Sequence, residues 1–295
     1  MPIRKVGVDG SGIMGAGIAQ VCAIHGYEVH IVEADASRLE AGLEAIRSRL
    51  ARDVERARLS QERYERALGR LSGSAQLADL SDCDVVIEAV TEDLQVKQVL
   101  FSDMGVICMP STILASNTSS LSLSALAAAS GRPDKVIGLH FFNPPTVLPL
   151  VEVISSESTS QETIEQSMSF CDALDRLTVR VKDTPGFIVN RLLVPFIFDA
   201  IRMVESGTAT AEDIDQACKT GLNHAMGPLA TADLIGLDTL INISEVMFEE
   251  YGEPRFKAPT ILRRMVSLGN LGRKSRRGFF EYGMLEVPSG GQVRT

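Results

Sequence analysis

Four histidines occur in the 295-residue chain, and their settings differ. His25 and His30 flank the apolar segment around Val29-His30-Ile31-Val32, where a polar side chain most simply meets solvent, and His224 sits in a glycine-bearing turn. His140 instead ends the apolar run Val136-Ile137-Gly138-Leu139 and opens Phe141-Phe142-Asn143-Pro144, which delivers an imidazole to the end of a buried strand. Imidazole exchanges protons near neutral pH, so this position suits general acid–base chemistry. A lone histidine at a strand end is more often structural, so the case rests on neighbours with complementary roles. Ser116-Asn117-Thr118-Ser119-Ser120 follows an earlier strand, Glu152 lies on a later one, and Asn190 sits at the start of a helix. A carboxylate on one ring nitrogen would fix the tautomer and stabilise the imidazolium, while a hydroxyl and an amide would share developing alkoxide charge. Each also has a plainer use: Ser119, Ser120 and Asn190 as helix caps, Glu152 as a solvated strand acid.

The second chemical signal is Gly10-Ser11-Gly12-Ile13-Met14-Gly15, which follows the short apolar strand Ile3 to Val8 and opens a helix through Ile18, Ala19, Val21 and Cys22. In a dinucleotide-binding fold Gly10 makes the tight turn, Gly12 admits the pyrophosphate, Gly15 packs helix on strand, and the helix N-terminus offers N–H groups. Glu33 ends the next strand, where an acid binds ribose hydroxyls and repels a 2′-phosphate, so NAD is expected rather than NADP; Asp35 is the rival acid. Asp9 puts a charge immediately before the first glycine. It is read either as a hydrogen-bonded strand-end carboxylate or, more sharply, as a negative charge that weakens pyrophosphate binding.

Strands and helices alternate in the first half, with strands also at 85–87, 113–115, 136–139, 150–154 and near 179–181, which implies a mostly parallel sheet covered on both faces. From Phe187 onward apolar residues recur at helical spacing, and Pro185 fits the opening of the first helix of that part. The expected architecture is α/β: a Rossmann-type, doubly wound, mostly parallel sheet over residues 1–184, then a smaller all-α domain over 185–283. Residues 284–295 carry Pro288, Ser289, Gly290 and Gly291 and are expected to be a disordered tail. A net charge of -9 argues against nucleic acid, and 45% hydrophobic residues without a long apolar run argue against a membrane span. The five cysteines show no Cys-x-x-Cys pair and read as buried thiols; with no secretion signal in the sequence, the expected location is the cytoplasm.

These segments resemble the 3-hydroxyacyl-CoA dehydrogenase family, in its short stand-alone 3-hydroxybutyryl-CoA dehydrogenase form. The resemblance runs through Gly10 to Ala19, Val86 to Glu92, Ala115 to Leu121, Gly138 to Pro144, Leu150 to Val153, Lys182 to Arg191, Met226 to Pro228, Asp233 to Asp238 and Leu271 to Lys274. It implies that His140 is the catalytic base with Glu152 as partner, that Ser119 and Asn190 hydrogen-bond the reacting oxygens, and that the site spans the two domains. It also implies that Gly10, Gly12, Ile13, Met14, Gly15, Glu33, Glu92, Lys97, Asn117 and Asn143 line the NAD site, with no metal. Glu33 stands where most relatives have Asp. L (S) stereochemistry at carbon 3 is implied by the family alone.

Between Leu39 and Leu59, the residues Leu39, Leu43, Ile46, Leu50 and Val54 form an apolar helical stripe beside Arg49, Arg52 and Arg56. The arginines read equally as a solvated charged face or as a phosphate grip; the resemblance favours Arg52 and Arg56 as ligands of the CoA phosphates. A second possibility is a short hydroxyacyl group presented by an acidic acyl carrier protein, and a third is a non-catalytic NAD-binding structural protein. The run Leu192 to Phe198 reads either as monomer core or as part of the homodimer interface that the resemblance implies.

Overall fold

A computed structural model describes residues 3–283, so the expected tail at 284–295 lies outside the described residues. The chain divides into two compact units, residues 1–187 and 188–295. The first alternates β1 (Lys5–Asp9), α1 (Ile13–Ile24), β2 (Glu28–Val32), α2 (Ala36–Glu55), α3 (Gln61–Leu68), β3 (Leu71–Ser74) and β4 (Val85–Glu88). It continues with α4 (Leu94–Ile107), β5 (Ile113–Ser116), α5 (Leu123–Ala129), β6 (Val136–Phe141), β7 (Leu150–Ser155), α6 (Gln161–Ala173) and β8 (Leu177–Lys182). Among the described residues the eight strands form one sheet, in the order β3-β2-β1-β4-β5-β6-β7-β8. All neighbours run parallel except β6 and β7, which pair antiparallel.

Alternation along each strand sends its side chains into two separate cores. Val6, Val8, Ile87, Ala115, Ile137, Leu139, Val151 and Val153 pack on one face with α1 and α6 residues such as Ile18 and Phe170. Val86, Leu114, Val136 and Ile154 pack on the other, with Phe101 and Met104 of α4 and Leu123 and Leu126 of α5. The stripe of α2 buries Ile46 and Leu50 completely, with Leu39, Leu43 and Val54 packed around them. Helix starts follow their caps: Asp35, Ser60, Asp93, Ser122 and Ser160 each accept a backbone N–H of the first turn.

The second unit contains α7 (Val189–Glu205), α8 (Ala211–Gly221), α9 (Pro228–Ile235), α10 (Leu237–Tyr251) and α11 (Thr260–Ser267). Its core gathers Val194, Ile197, Phe198 and Ile201 with Leu229, Leu240, Met247 and Leu262. Of the apolar run 192–198, Val194, Ile197 and Phe198 are core and Leu193 packs against it, while Leu192 stays 72% exposed. Asp215 accepts the N–H groups of Leu229 and Ala230 at the start of α9. Pro185 does not open α7. It lies in the turn of residues 185–188 that precedes it, and Pro195 sits inside the helix instead.

His30 also departs from expectation: it lies inside β2, where Ser72 and Ser74 of β3 hydrogen-bond its two ring nitrogens. Cys22, Cys83, Cys108 and Cys171 are buried thiols, whereas Cys218 is half-buried. No helix of the described residues is long and apolar enough to cross a membrane.

Candidate active site

The loop from β1 into α1 is built for close approach. Gly10 takes φ +104°, and a Cβ there would stand 2.7 Å from the Ala89 carbonyl oxygen. A Cβ on Gly15 would fall 1.9 Å from the Gly10 oxygen, while one on Gly12 would meet nothing within 4 Å, so Gly12 leaves its surroundings open. Ile13 and Met14 follow as the first residues of α1, with Ile13 72% exposed. Beside this loop is a cavity of about 720 Å³, lined among others by Gly10, Gly12, Glu33, Arg38, Ala89 and Thr91. Glu33 accepts the Ser11 N–H and hydroxyl, both at 3.2 Å, and so faces the loop. Asp35 instead caps α2, accepting the Ser37 and Arg38 N–H groups. An open cradle at a helix N-terminus with an acid at the neighbouring strand end fits a dinucleotide pyrophosphate and ribose.

A polar row continues from that loop across one face of the sheet. The register pairs Asp9 with Glu88, Glu88 with Ser116, and Ser116 with Gly138, so these strand ends lie side by side. Glu88 is fully buried and fully engaged, accepting the Val90 N–H at 2.8 Å, the Lys97 ammonium at 2.5 Å and the Ser116 hydroxyl at 2.6 Å. Lys97, 1% exposed, also reaches Glu92 at 3.3 Å. Glu92 in turn accepts the Thr118 hydroxyl at 2.6 Å and the Ser119 N–H at 2.8 Å, and Asn117 accepts the Phe141 N–H at 2.9 Å. The loops after β4 and β5 and the end of β6 are thereby tied to one another. Asp9 is the exception: its Oδ2 is buried without a hydrogen-bond partner among the described residues, against the plainer expectation of a satisfied carboxylate. Burial, then repulsion from Glu88 and Glu33, pushes its carboxyl up to about 7 against the pull of Lys97.

Antiparallel pairing of β6 with β7 sets His140 directly opposite Glu152. Nδ1 lies 2.7 Å from Glu152 Oε2, with His140 4% and Glu152 0% exposed. A carboxylate there selects the Nδ1–H tautomer and leaves Nε2 as the basic nitrogen. Phe142 and Phe187 flank the imidazole, with ring centroids at 4.5 and 5.6 Å. Phe187 holds φ +48°, a left-handed conformation rare for a bulky residue and typical of functional turns. Ser119 is half-buried and Asn143 exposed, both in loops following strands of this sheet. Asn190 belongs to the second unit, as the second residue of α7.

Arg49 and Arg52 of α2, and Arg56 at its C-terminal cap, line a small cavity of about 150 Å³ with Gln20, Asp53 and Thr146. Arg49 donates Nε to Gln20 at 2.8 Å, and its buried Nη2 has no hydrogen-bond partner among the described residues. The sequence reading also passed over Glu88, although an acid ending an otherwise apolar strand nine residues before a lysine is a visible signal. Among the described residues no group of His, Cys, Asp and Glu side chains could hold a metal ion.

A carboxylate-paired imidazole on the same sheet as a dinucleotide cradle is the layout of a nicotinamide-dependent dehydrogenase. Residues 5–184 match the family model for the NAD binding domain of 3-hydroxyacyl-CoA dehydrogenase, and residues 186–282 match that for its C-terminal domain, so the chain belongs to this family of NAD-dependent oxidoreductases. It is 47% identical over 282 residues to the 3-hydroxybutyryl-CoA dehydrogenase of Mycobacterium tuberculosis, covering 95% of this chain and 99% of that protein. The crystal structure of M. tuberculosis FadB2 superposes with a TM-score of 0.94 at 46% identity, covering 96% of this chain and 100% of that one. For (S)-3-hydroxybutyryl-CoA dehydrogenase PaaH1 from Ralstonia eutropha the values are 0.91 and 40%, with the same coverage.

Proposed function

We propose that this chain interconverts a short (S)-3-hydroxyacyl-CoA, foremost 3-hydroxybutyryl-CoA, and the 3-oxoacyl-CoA, with His140 as general base. The observation that carries this is the buried 2.7 Å pair of His140 Nδ1 and Glu152. Removing a hydride from carbon 3 yields a ketone only if the hydroxyl proton also departs, and His140 Nε2 takes that proton. NAD, when bound, accepts the hydride. Glu152 stabilises the imidazolium that results, and in the reductive direction the imidazolium returns the proton. Ser119, whose N–H is anchored on Glu92, directs its hydroxyl to the reacting oxygen; Asn190 is proposed to supply a further hydrogen bond.

Gly10, Gly12, Ile13, Met14, Gly15 and Glu33 hold the cofactor, with Asn117 and Asn143 beside it. Glu92 and Lys97 serve it mainly by fixing the loops, since the Lys97 ammonium is already committed to Glu88. Arg52 and Arg56, with Arg49, grip the CoA phosphates, and their convergence on one cavity supports this over a merely solvated face. A homodimer is proposed from the family and from exposed Leu192; a monomer mass in solution would reject it.

The test is NADH oxidation with acetoacetyl-CoA beside the shorter acetoacetyl-pantetheine. Rapid turnover of the CoA thioester, lost by at least about a hundredfold in His140→Ala, is expected. Full activity in that variant would remove His140 from the chemistry. A CoA thioester that is inert while NADH binds would instead favour a carrier-protein substrate.

A further inference from the structure

Asp9 is the last residue of β1, one position before Gly10, and 5% exposed. The groups that face it are Glu88 from β4, Glu33 beyond the end of β2, and Lys97 from α4. Glu88 is equally buried but receives three donors, one of them the Lys97 ammonium at 2.5 Å. Glu33 accepts from Ser11. Asp9 Oδ2 receives no hydrogen bond among the described residues. Two carboxylates and one cation already committed to its neighbour therefore surround it, a setting that favours the neutral acid.

The loop that carries Gly12, whose surroundings are open and where the anionic pyrophosphate is to sit, begins one residue further along the chain, at Gly10. An ionised Asp9 would repel that anion across poorly solvated ground, and a protonated Asp9 would not. We infer that Asp9 sets the affinity of this chain for NAD and makes that affinity fall as pH rises through neutrality. Asp9 thus acts on the bound anion through charge, as a tuning residue rather than a catalytic one. The direction follows from linkage: the anion raises the carboxyl further, so the complex takes up a proton that the unliganded chain has begun to lose above about 7. If the bound anion strengthens proton binding by Asp9 about tenfold, affinity weakens about tenfold between its acidic and alkaline limits, most of it between about pH 6 and about pH 9, and about half a proton is taken up per NADH midway.

NADH binding to the purified full chain tests this without substrate. The dissociation constant is followed by cofactor fluorescence from about pH 6 to about pH 9, and proton uptake by calorimetry in buffers of different ionisation enthalpy. The expected result is a wild-type constant that rises about tenfold with pH, and constants in both Asp9→Asn and Asp9→Val that stay flat near the tight, acidic limit. A flat wild-type profile overturns the inference. So does a slope that persists in either variant, which would assign the titration to another group. Failure of NADH to bind at any pH would count against the cofactor assignment itself, a different result from binding with a flat profile.

Discussion

Breaking the Lys97–Glu88 pair is the severest test of how the strand-end network is held. Both side chains are essentially removed from water, 1% and 0% exposed, with 2.5 Å between Nζ and Oε1. Removing one partner of such a pair leaves an uncompensated buried charge, which costs about 3–5 kcal/mol. In Glu88→Leu the ammonium keeps only Glu92 among the described carboxylates it pairs with, at 3.3 Å, and in Lys97→Met the carboxylate keeps the Val90 N–H and the Ser116 hydroxyl. Each single variant should therefore lower the thermal midpoint of the first unit by about 6–20 °C, taking about 2–4 °C per kcal/mol for a domain of this size. The double variant Glu88→Leu with Lys97→Met exchanges both ions for apolar groups and should lose less than either single variant. Urea unfolding of the cofactor-free chain, followed by far-UV circular dichroism, supplies the four corners of the cycle. Additive losses, with the double variant about as damaged as the sum of the singles, would refute the claim that the two charges are coupled. An independent readout comes from Asp9: losing Glu88 removes a repulsion and should lower the pH at which Asp9 titrates, whereas losing Lys97 should raise it.

Two further outcomes follow from the same strand ends. Because the Asp9 carboxyl rises from 3.8 to about 7 on folding, the folded chain retains a proton that the unfolded chain releases; stability should fall as pH rises through that window and level off above it, by up to about 4 kcal/mol. Asp9→Val should flatten the curve and be the more stable protein above about pH 7, and urea titrations at a series of pH values would expose the error if the wild type shows no such decline. Gly15→Ala puts a methyl 1.9 Å from the Gly10 carbonyl oxygen, so the loop must shift. NADH affinity should drop at least about tenfold while the α-helical circular dichroism persists; unaltered affinity would show that the loop yields without consequence.

What could be read from the sequence and what could not divide along physical lines. His140, the glycine loop and the polar runs after 115 were legible because each interrupts an apolar strand, and a polar residue at such a break is either at a surface or in use. Leu71-Ser72-Gly73-Ser74 gave no strand signal, since β3 owes its extended form to pairing with β2 rather than to its own side chains. His30 was misplaced for the same reason, because the serines that satisfy it come from that unrecognised strand. The direction of β7 leaves no mark either: alternation has a period of two whichever way a strand runs. For Asp9, sequence posed the right question, but only the register with Glu88 shows that the available cation is already taken.

The antiparallel contact of β6 and β7 carries a consequence for how this scaffold can diversify. His140 and Glu152 oppose each other, flanked in register by Phe141 with Val151 and Leu139 with Val153. Sliding β7 by one position would present a valine to the imidazole and turn the carboxylate into the opposite core, so the dyad obeys a parity rule. Insertions must be absorbed wholly within residues 142–149, where Asn143, Val147 and Leu148 are already exposed. That short connection is the place where evolution or an engineer can lengthen, shorten or re-line the chain beside this pair, because His140 and Glu152 are fixed by the strands on either side and not by the loop between them.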